Sequence, residues 1–254
     1  MAWFEKKYEF NQAQLKLAHI TDTHLFADRN GEYFGVNTAK HYSSVLTELA
    51  MQDIDAVIFG GDLTQDHSFE SYELFAQLLV ESSLDCPVFW VPGNHDDIEL
   101  LSKISVGQIQ SAKRLTFELG QVLLINSKGP TPAGWVEKTH LQEIEQFADV
   151  VSIAFCHHNP LPINGYLDKH MLENGPQLLN SLVNTEHVLH LFHGHVHHEY
   201  DFTFRTLKVN ATPATSIQFT RDTEQWQQEN LGAAYRLVSW TRQGIRTEVK
   251  WLEK

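Results

Sequence analysis

Five short apolar runs in this chain each read as a buried strand, and each ends in a cluster of polar side chains. Residues 15–21 lead into Asp22-Thr23-His24, and residues 56–59 lead into Gly60-Gly61-Asp62. Residues 88–91 lead into Pro92-Gly93-Asn94-His95-Asp96. Residues 151–155 end in Cys156-His157-His158, and residues 187–192 end in His193-Gly194-His195-Val196-His197-His198. A short apolar run bounded by turn formers suits a strand covered on both faces. Glycine and proline break such a strand and leave the next polar groups at its carboxyl end, where open α/β sheets bind ligands. Amides and imidazoles resist burial without partners. One such cluster is an ordinary loop; five in succession require a fold that collects strand ends along one rim.

The segments between the runs fit that fold. Residues 38–51 carry Val45, Leu46, Leu49 and Ala50 at helical spacing behind a cap at Asn37 or Thr38. Residues 68–80 place Phe69, Tyr72, Phe75, Ala76 and Leu79 on one helical face. The first half is therefore strand, helix, strand, helix, strand, a pattern that implies parallel strands. In the second half a hairpin turned at Gly120 joins residues 115–119 to 121–127, and helices are expected near 137–148 and 176–183. Residues 159–175, broken by Pro and Gly, read as a long functional loop. The remainder, from 202 to 252, alternates like antiparallel strands. Residues 1–14 form a leader with aromatic Trp3, Phe4, Tyr8 and Phe10, suited to packing on the body or on a second subunit of a homodimer. No linker, repeat or low-complexity tract interrupts residues 15–254, which are expected to form a single α/β domain.

Composition narrows the partners. The chain has 19 Lys and Arg against 32 Asp and Glu, a formal charge of −13. Broad binding to nucleic acid or to an anionic membrane needs a basic footprint, and this balance opposes it. Two cysteines, Cys86 and Cys156, cannot build a disulfide framework. With no signal-peptide core and no apolar run long enough to span a bilayer, a cytoplasmic protein is expected.

The strand-end groups are carboxylates, one amide oxygen and imidazoles. Residues two apart in an extended segment point the same way, so Asp22 with His24, and His195 with His197, each read as a two-pronged pair. The donor mix suits manganese, iron or zinc better than calcium. The ligands are too many for one ion and enough for two, with Asp62 the natural bridge. Ions about 3.5–4 Å apart clamp a phosphoryl group and bring the pKa of a shared water to about 7.

Asp22-Thr23-His24, Gly61-Asp62, Gly93-Asn94-His95-Asp96, His157-His158 and Gly194-His195-Val196-His197 resemble the signature blocks of the calcineurin-like metallophosphoesterases in order and spacing. Gly35-Val36-Asn37-Thr38, the segment from Pro213 to Phe219, and Tyr235-Arg236 further resemble the bacterial class III cyclic nucleotide phosphodiesterases. The resemblance implies a two-sheet mixed β-sandwich flanked by helices, in four layers, αββα. It implies one metal held by Asp22, His24, Asp62 and His197, and a second held by Asp62, Asn94, His157 and His195. It further implies hydrolysis of 3′,5′-cyclic AMP to 5′-AMP by in-line attack of a metal-bridging hydroxide. His95 is then expected to stabilise the phosphate or protonate the leaving oxygen, with Asn94, His95 and His158 on the substrate side. Phe26, Tyr33 and Tyr166 are candidates to stack a base. Asp96 reads as a helix cap and Asp66 as a solvated acid. Another small-molecule phosphoesterase, acting on glycerophosphodiesters or phosphomonoesters, is the alternative enzyme; a non-catalytic scaffold is the alternative from another class.

Overall fold

The computed structural model describes residues 2–253. Two mixed sheets carry the chain. The first has six strands in the order Gly244–Trp251, Ala234–Thr241, Leu15–Ile20, Ala56–Phe59, Val88–Trp90 and Ile109–Gln110. Its last four strands are parallel, and the two C-terminal strands join antiparallel beside Leu15–Ile20. The second sheet has seven: Lys7–Glu9, Arg114–Phe117, Gly120–Leu124, Ser152–Phe155, Val188–His193, Leu207–Ala211 and Tyr200–Phe204.

Alternation along each strand sorts side chains between layers. Leu17, Ile58 and Phe89 of the first sheet meet Val122, Leu124, Ile153, Phe155 and Phe192 of the second in the core between the sheets. The adjacent Ala18, Val57, Phe59 and Val88 point the other way, onto helices α1 (Thr38–Ala50) and α2 (Phe69–Glu81). On the far side, Leu123, Ala154 and Leu191 pack under α4 (Lys138–Phe147) and α5 (Gly175–Asn184). Both faces of the central strands are covered, hence their continuous apolar runs. The result is the expected four layers.

The helices begin where their caps dictate. Asn37 accepts the Lys40 amide before α1, and Ser68 accepts that of Ser71 before α2. Pro176 sits in the first turn of α5, where its missing N–H costs nothing. A short helix, α3 (Ile98–Lys103), and the strand Ile109–Gln110 follow the third polar cluster. Both are too short for a periodic signal.

Several expectations change. The aromatic leader packs on its own chain: Lys7–Glu9 pairs in parallel with Arg114–Phe117, and Phe4 is fully buried against His140 and Phe147. Strand pairings within residues 202–252 are antiparallel as expected, while Leu207–Ala211 also runs parallel to the earlier strand Val188–His193. Alternation reports burial, not direction, so that second pairing was invisible in the sequence. The hairpin turns at Glu118-Leu119, with Phe117 opposite Gly120.

Candidate metal centre

All five polar clusters lie at one edge, on the seam between the sheets. Asp22, His24, Asp62 and Asn94 follow strands of the first sheet; His157, His195 and His197 follow strands of the second. The strands stop earlier than the ligand pairs. Leu15–Ile20 ends before Asp22, and Val188–His193 ends before His195. Asp22 (φ 55°), His24 (46°), Asp62 (54°), His195 (68°) and His197 (54°) are all left-handed. The pairs therefore converge through left-handed turns and not through extended backbone, which corrects the geometric reason offered above. Asp and His visit this region more readily than most residues, at a cost of order 1 kcal/mol each.

Neighbouring loops hold those turns. The amides of Asp22 and His24 donate to the carbonyls of Gly61 and Asp62. Asp96 does not cap a helix; Asp97 caps α3. Instead Asp96 Oδ2 accepts the amides of Asp62 and Gly93, and Oδ1 accepts that of Leu63, each at 2.8 Å. It ties the second strand end to the third. Asp66 is also engaged, accepting the amides of Ala27 and Ser68. Gly194 lets the last loop close: a Cβ there would lie 2.1 Å from Thr21 Oγ1 and 2.7 Å from Asp22 Oδ2.

Two groups of donors result, each drawn from both sheets. In one, His24 Nε2 and His197 Nε2 are 3.1 Å apart, and His197 Nε2 is 3.3 Å from Asp22 Oδ1. In the other, His157 Nε2 lies 3.2 Å from Asn94 Oδ1 and 3.3 Å from His195 Nδ1. Asp62 Oδ2 stands between them, 3.3 Å from His157 Nε2 and 3.9 Å from His24 Nε2. The far nitrogens fix the tautomers. His157 Nδ1 donates to the Gly60 carbonyl, His197 Nδ1 to that of Ile217, and His195 Nε2 to that of His170. The inward nitrogens are therefore the ones left to face a cation.

Burial acts to lower His157, but the Asp62 and Asp22 carboxylates outweigh it and raise it to about 9, so without cations that ring is protonated. Burial lowers His24 and His195, the latter to about 3, so both imidazoles are neutral. Burial opposes the ionised forms of Asp22 and Asp62, yet the facing His197 and His157 imidazoles outweigh it and hold both carboxyls below the usual range. Asp22 Oδ1 is buried, and the nitrogen that faces it is His197 Nε2. Two anions and several inward nitrogens at hydrogen-bond spacing fit a pair of divalent cations, and borderline ones by donor type.

His95 follows the same strand as Asn94 and lies close enough to His24 and Asp62 to form a candidate cation-holding group with them. Its amide donates to Asp62 Oδ1, its ring meets His24 edge-on at 4.9 Å, and its Nδ1 has no partner. His158 is completely buried, with Nδ1 2.9 Å from Ser127 Oγ and its ring 4.8 Å from that of His195. It forms a further candidate cation-holding group with His157 and His195, and its Nε2 has no hydrogen-bond partner. Of the three aromatics named from sequence, Tyr33 reaches the site, stacked on His24 at 4.9 Å, and Tyr166 packs on Trp226. Phe26 lies under Gly31 in the loop. Sequence reasoning missed Lys128, whose Nζ donates to the Asn94 carbonyl, and Phe219, whose ring covers His197 at 4.0 Å. Lys128 stands outside every recognised block and carried no signal. Phe219 closes a block whose Ser216 hydroxyl donates to the Asp22 carbonyl, so that segment supports the ligands directly.

Residues 15–199 match the family model described as calcineurin-like phosphoesterase. The chain is 61% identical, over the full length of both, to a probable cyclic nucleotide phosphodiesterase of Pseudoalteromonas sp. (strain SM9913). It is 33% identical to the 3′,5′-cyclic adenosine monophosphate phosphodiesterase CpdA of Haemophilus influenzae, covering 97% of this chain and 93% of that one. Identity to the CpdA of Escherichia coli (strain K12) is 32%, covering 94% and 90%. Among solved structures, a dimetal phosphatase from Danio rerio aligns at a TM-score of 0.65 and 13% identity, covering 95% of this chain and all of that one. A purple acid phosphatase from yellow lupin aligns at 0.68 and 12%, covering 97% and 53%. At such identities these two carry the fold alone.

Proposed function

The chain belongs to the calcineurin-like phosphoesterase family, and on that premise we propose that it hydrolyses 3′,5′-cyclic AMP to 5′-AMP. The observation that carries this reading is the pair of donor groups meeting at Asp62, with Asp22 Oδ1 buried beside His197 Nε2 at 3.3 Å. Asp22, His24, Asp62 and His197 would hold one cation; Asp62, Asn94, His157 and His195 would hold the other. Iron or manganese suits this oxygen and imidazole set, with zinc next. The bound pair supplies positive charge for the phosphate oxygens and acidifies a water.

The chain's own residues position and protonate. Asn94, steadied through its carbonyl by Lys128, sets the substrate's phosphate against the second donor group. His95 is half-buried edge-on to His24, with its backbone fixed by Asp62. It delivers a proton to the 3′-oxygen as the bond from phosphorus to that oxygen breaks and the bond to water's oxygen forms. The water's proton leaves to solvent. No side chain is needed as nucleophile. His158 packs against His195 and keeps its ring in place.

The test is incubation of manganese-loaded protein with 3′,5′-cyclic AMP, followed by chromatography. Release of 5′-AMP is expected. Intact cyclic AMP alongside cleaved glycerophosphodiester or phosphomonoester would transfer the chain to the alternative enzyme class. Absence of stoichiometric metal and of all three activities would leave the scaffold.

A further inference from the structure

Aromatic rings wall the mouth of the metal centre on the side of Asp22, His24 and His197. The inner pair lies on ligand rings: Tyr33 on His24 at 4.9 Å and 27°, Phe219 on His197 at 4.0 Å and 19°. An outer pair stands beyond them. Phe34 touches Tyr33 at 4.7 Å, Trp226 touches Phe219 at 4.5 Å, and the outer rings meet each other at 5.8 Å. Two small hairpins bring them together, Glu32–Tyr33 with Val36–Asn37 and Gln218–Phe219 with Gln228–Glu229. The inner rings are half-buried and have a packing role. The outer ones do not: Phe34 is 52% exposed and Trp226 is 37% exposed.

Phe34 is also in the wrong place for a phenylalanine. Tyr33 pairs with Val36, so Phe34 and Gly35 are the whole turn, with φ 49° and 78°. Two positive φ values define a hairpin turn in which Asn or Asp followed by Gly is the low-cost choice. The left-handed conformation disfavours a bulky side chain. Here the strain presents a ring to solvent, so neither turn geometry nor core packing accounts for it. Opposite, Trp226 is steadied, its Nε1 donating to Gln228 Oε1 at 2.9 Å.

We propose that Phe34 and Trp226 form the platform on which the base of the cyclic nucleotide stacks while its phosphate occupies the metal centre. The proposal rests on the phosphodiesterase reading above and adds the residues that distinguish a nucleotide from any other cyclic diester. Each outer ring lies one ring contact from a ring that covers a ligand histidine. A base stacked there would cover the apolar surface that the outer pair now leaves in water. Stacking recognises the presence of a π face.

The experiment compares two substrates of the manganese-loaded enzyme: 3′,5′-cyclic AMP, and methyl riboside 3′,5′-cyclic phosphate, the same diester without a base. Wild type is expected to favour cyclic AMP in kcat/KM. Trp226→Ala should shrink that preference by roughly ten-fold or more, through KM, and Trp226→Phe should keep most of it. A preference unchanged in Trp226→Ala overturns the proposal. Indole fluorescence gives a reading independent of turnover. 5′-AMP should quench wild type more than ribose 5-phosphate does, and Trp226→Phe should abolish the difference. Equal quenching by both ligands overturns the platform. If wild type cuts neither diester, the phosphodiesterase reading fails, and the quenching alone then decides whether a base sits on Trp226.

Discussion

His24 Nε2 and His197 Nε2 face one another at 3.1 Å although the residues are 173 positions apart and follow strands of different sheets. The His197 Nδ1 proton is committed to the Ile217 carbonyl, so its inward nitrogen is an acceptor. His24 Nε2 can donate across that gap, and a cation placed there would take both nitrogens instead. His197→Ala should lower bound metal and kcat by on the order of a hundred-fold or more. Elemental analysis and turnover check it. In wild type, manganese at about a hundred times its Kd should stabilise the fold by about 2.7 kcal/mol, seen as a rise in Tm that chelator reverses.

His95 is assigned the proton given to the leaving oxygen. That proton matters most for an alkoxide and least for an acidic phenol. His95→Gln should therefore cut turnover of 3′,5′-cyclic AMP by roughly 100-fold or more, and of a p-nitrophenyl diester far less. Equal losses on both substrates would assign His95 to charge stabilisation instead.

Asp96 receives three buried amides, from Asp62, Leu63 and Gly93. Asp96→Ala leaves all three without partners, at about 1–3 kcal/mol apiece before relaxation. The expected loss is about 3 kcal/mol or more in urea unfolding, together with weaker metal uptake. Asp96→Asn retains one accepting oxygen and should fall between Asp96→Ala and wild type.

His19 is buried beside Thr212. Burial first, and the Arg236 charge second, bring its pKa down from 6.5 to about 3. Between those values the unfolded chain binds a proton that the folded chain refuses. Stability should therefore decline as pH drops from about 6.5 towards about 3, with His19 supplying close to one proton, or about 1.4 kcal/mol per pH unit in mid-window. Metal-free wild type and His19→Gln, compared by urea unfolding at pH 6.5 and pH 5, should differ in slope by about that amount.

That the candidate ligands meet was legible because they follow strands too apolar to be anything but buried. Residues 56–59 and Ser152–Phe155 are short, fully covered and immediately followed by Asp62 and His157. Their order along the chain, strand after helix after strand, was enough to place them at one rim. The turn geometry was not legible. Asp22 and His24 suit an extended reading by spacing, but their positive φ depends on hydrogen bonds to the carbonyls of Gly61 and Asp62, 39 and 38 residues away. Asp96 was misread for the same reason: its partners are amides of distant loops, and an Asp ahead of a helix looks the same whether or not it caps. Lys113 was unreadable too. Its amine is buried over the Trp90 ring and bonded to the Trp90 carbonyl, a place no local pattern marks.

The distribution of ligands over two sheets has a mechanical consequence. Each donor group takes side chains from both halves of the sandwich, so a bound pair of cations acts as a rivet through the joint. Force that slid one sheet across the other would have to break coordination before it disturbed a single strand pairing. With the rivet removed, the joint is held by hydrocarbon alone along that edge, and this edge should be the first to open.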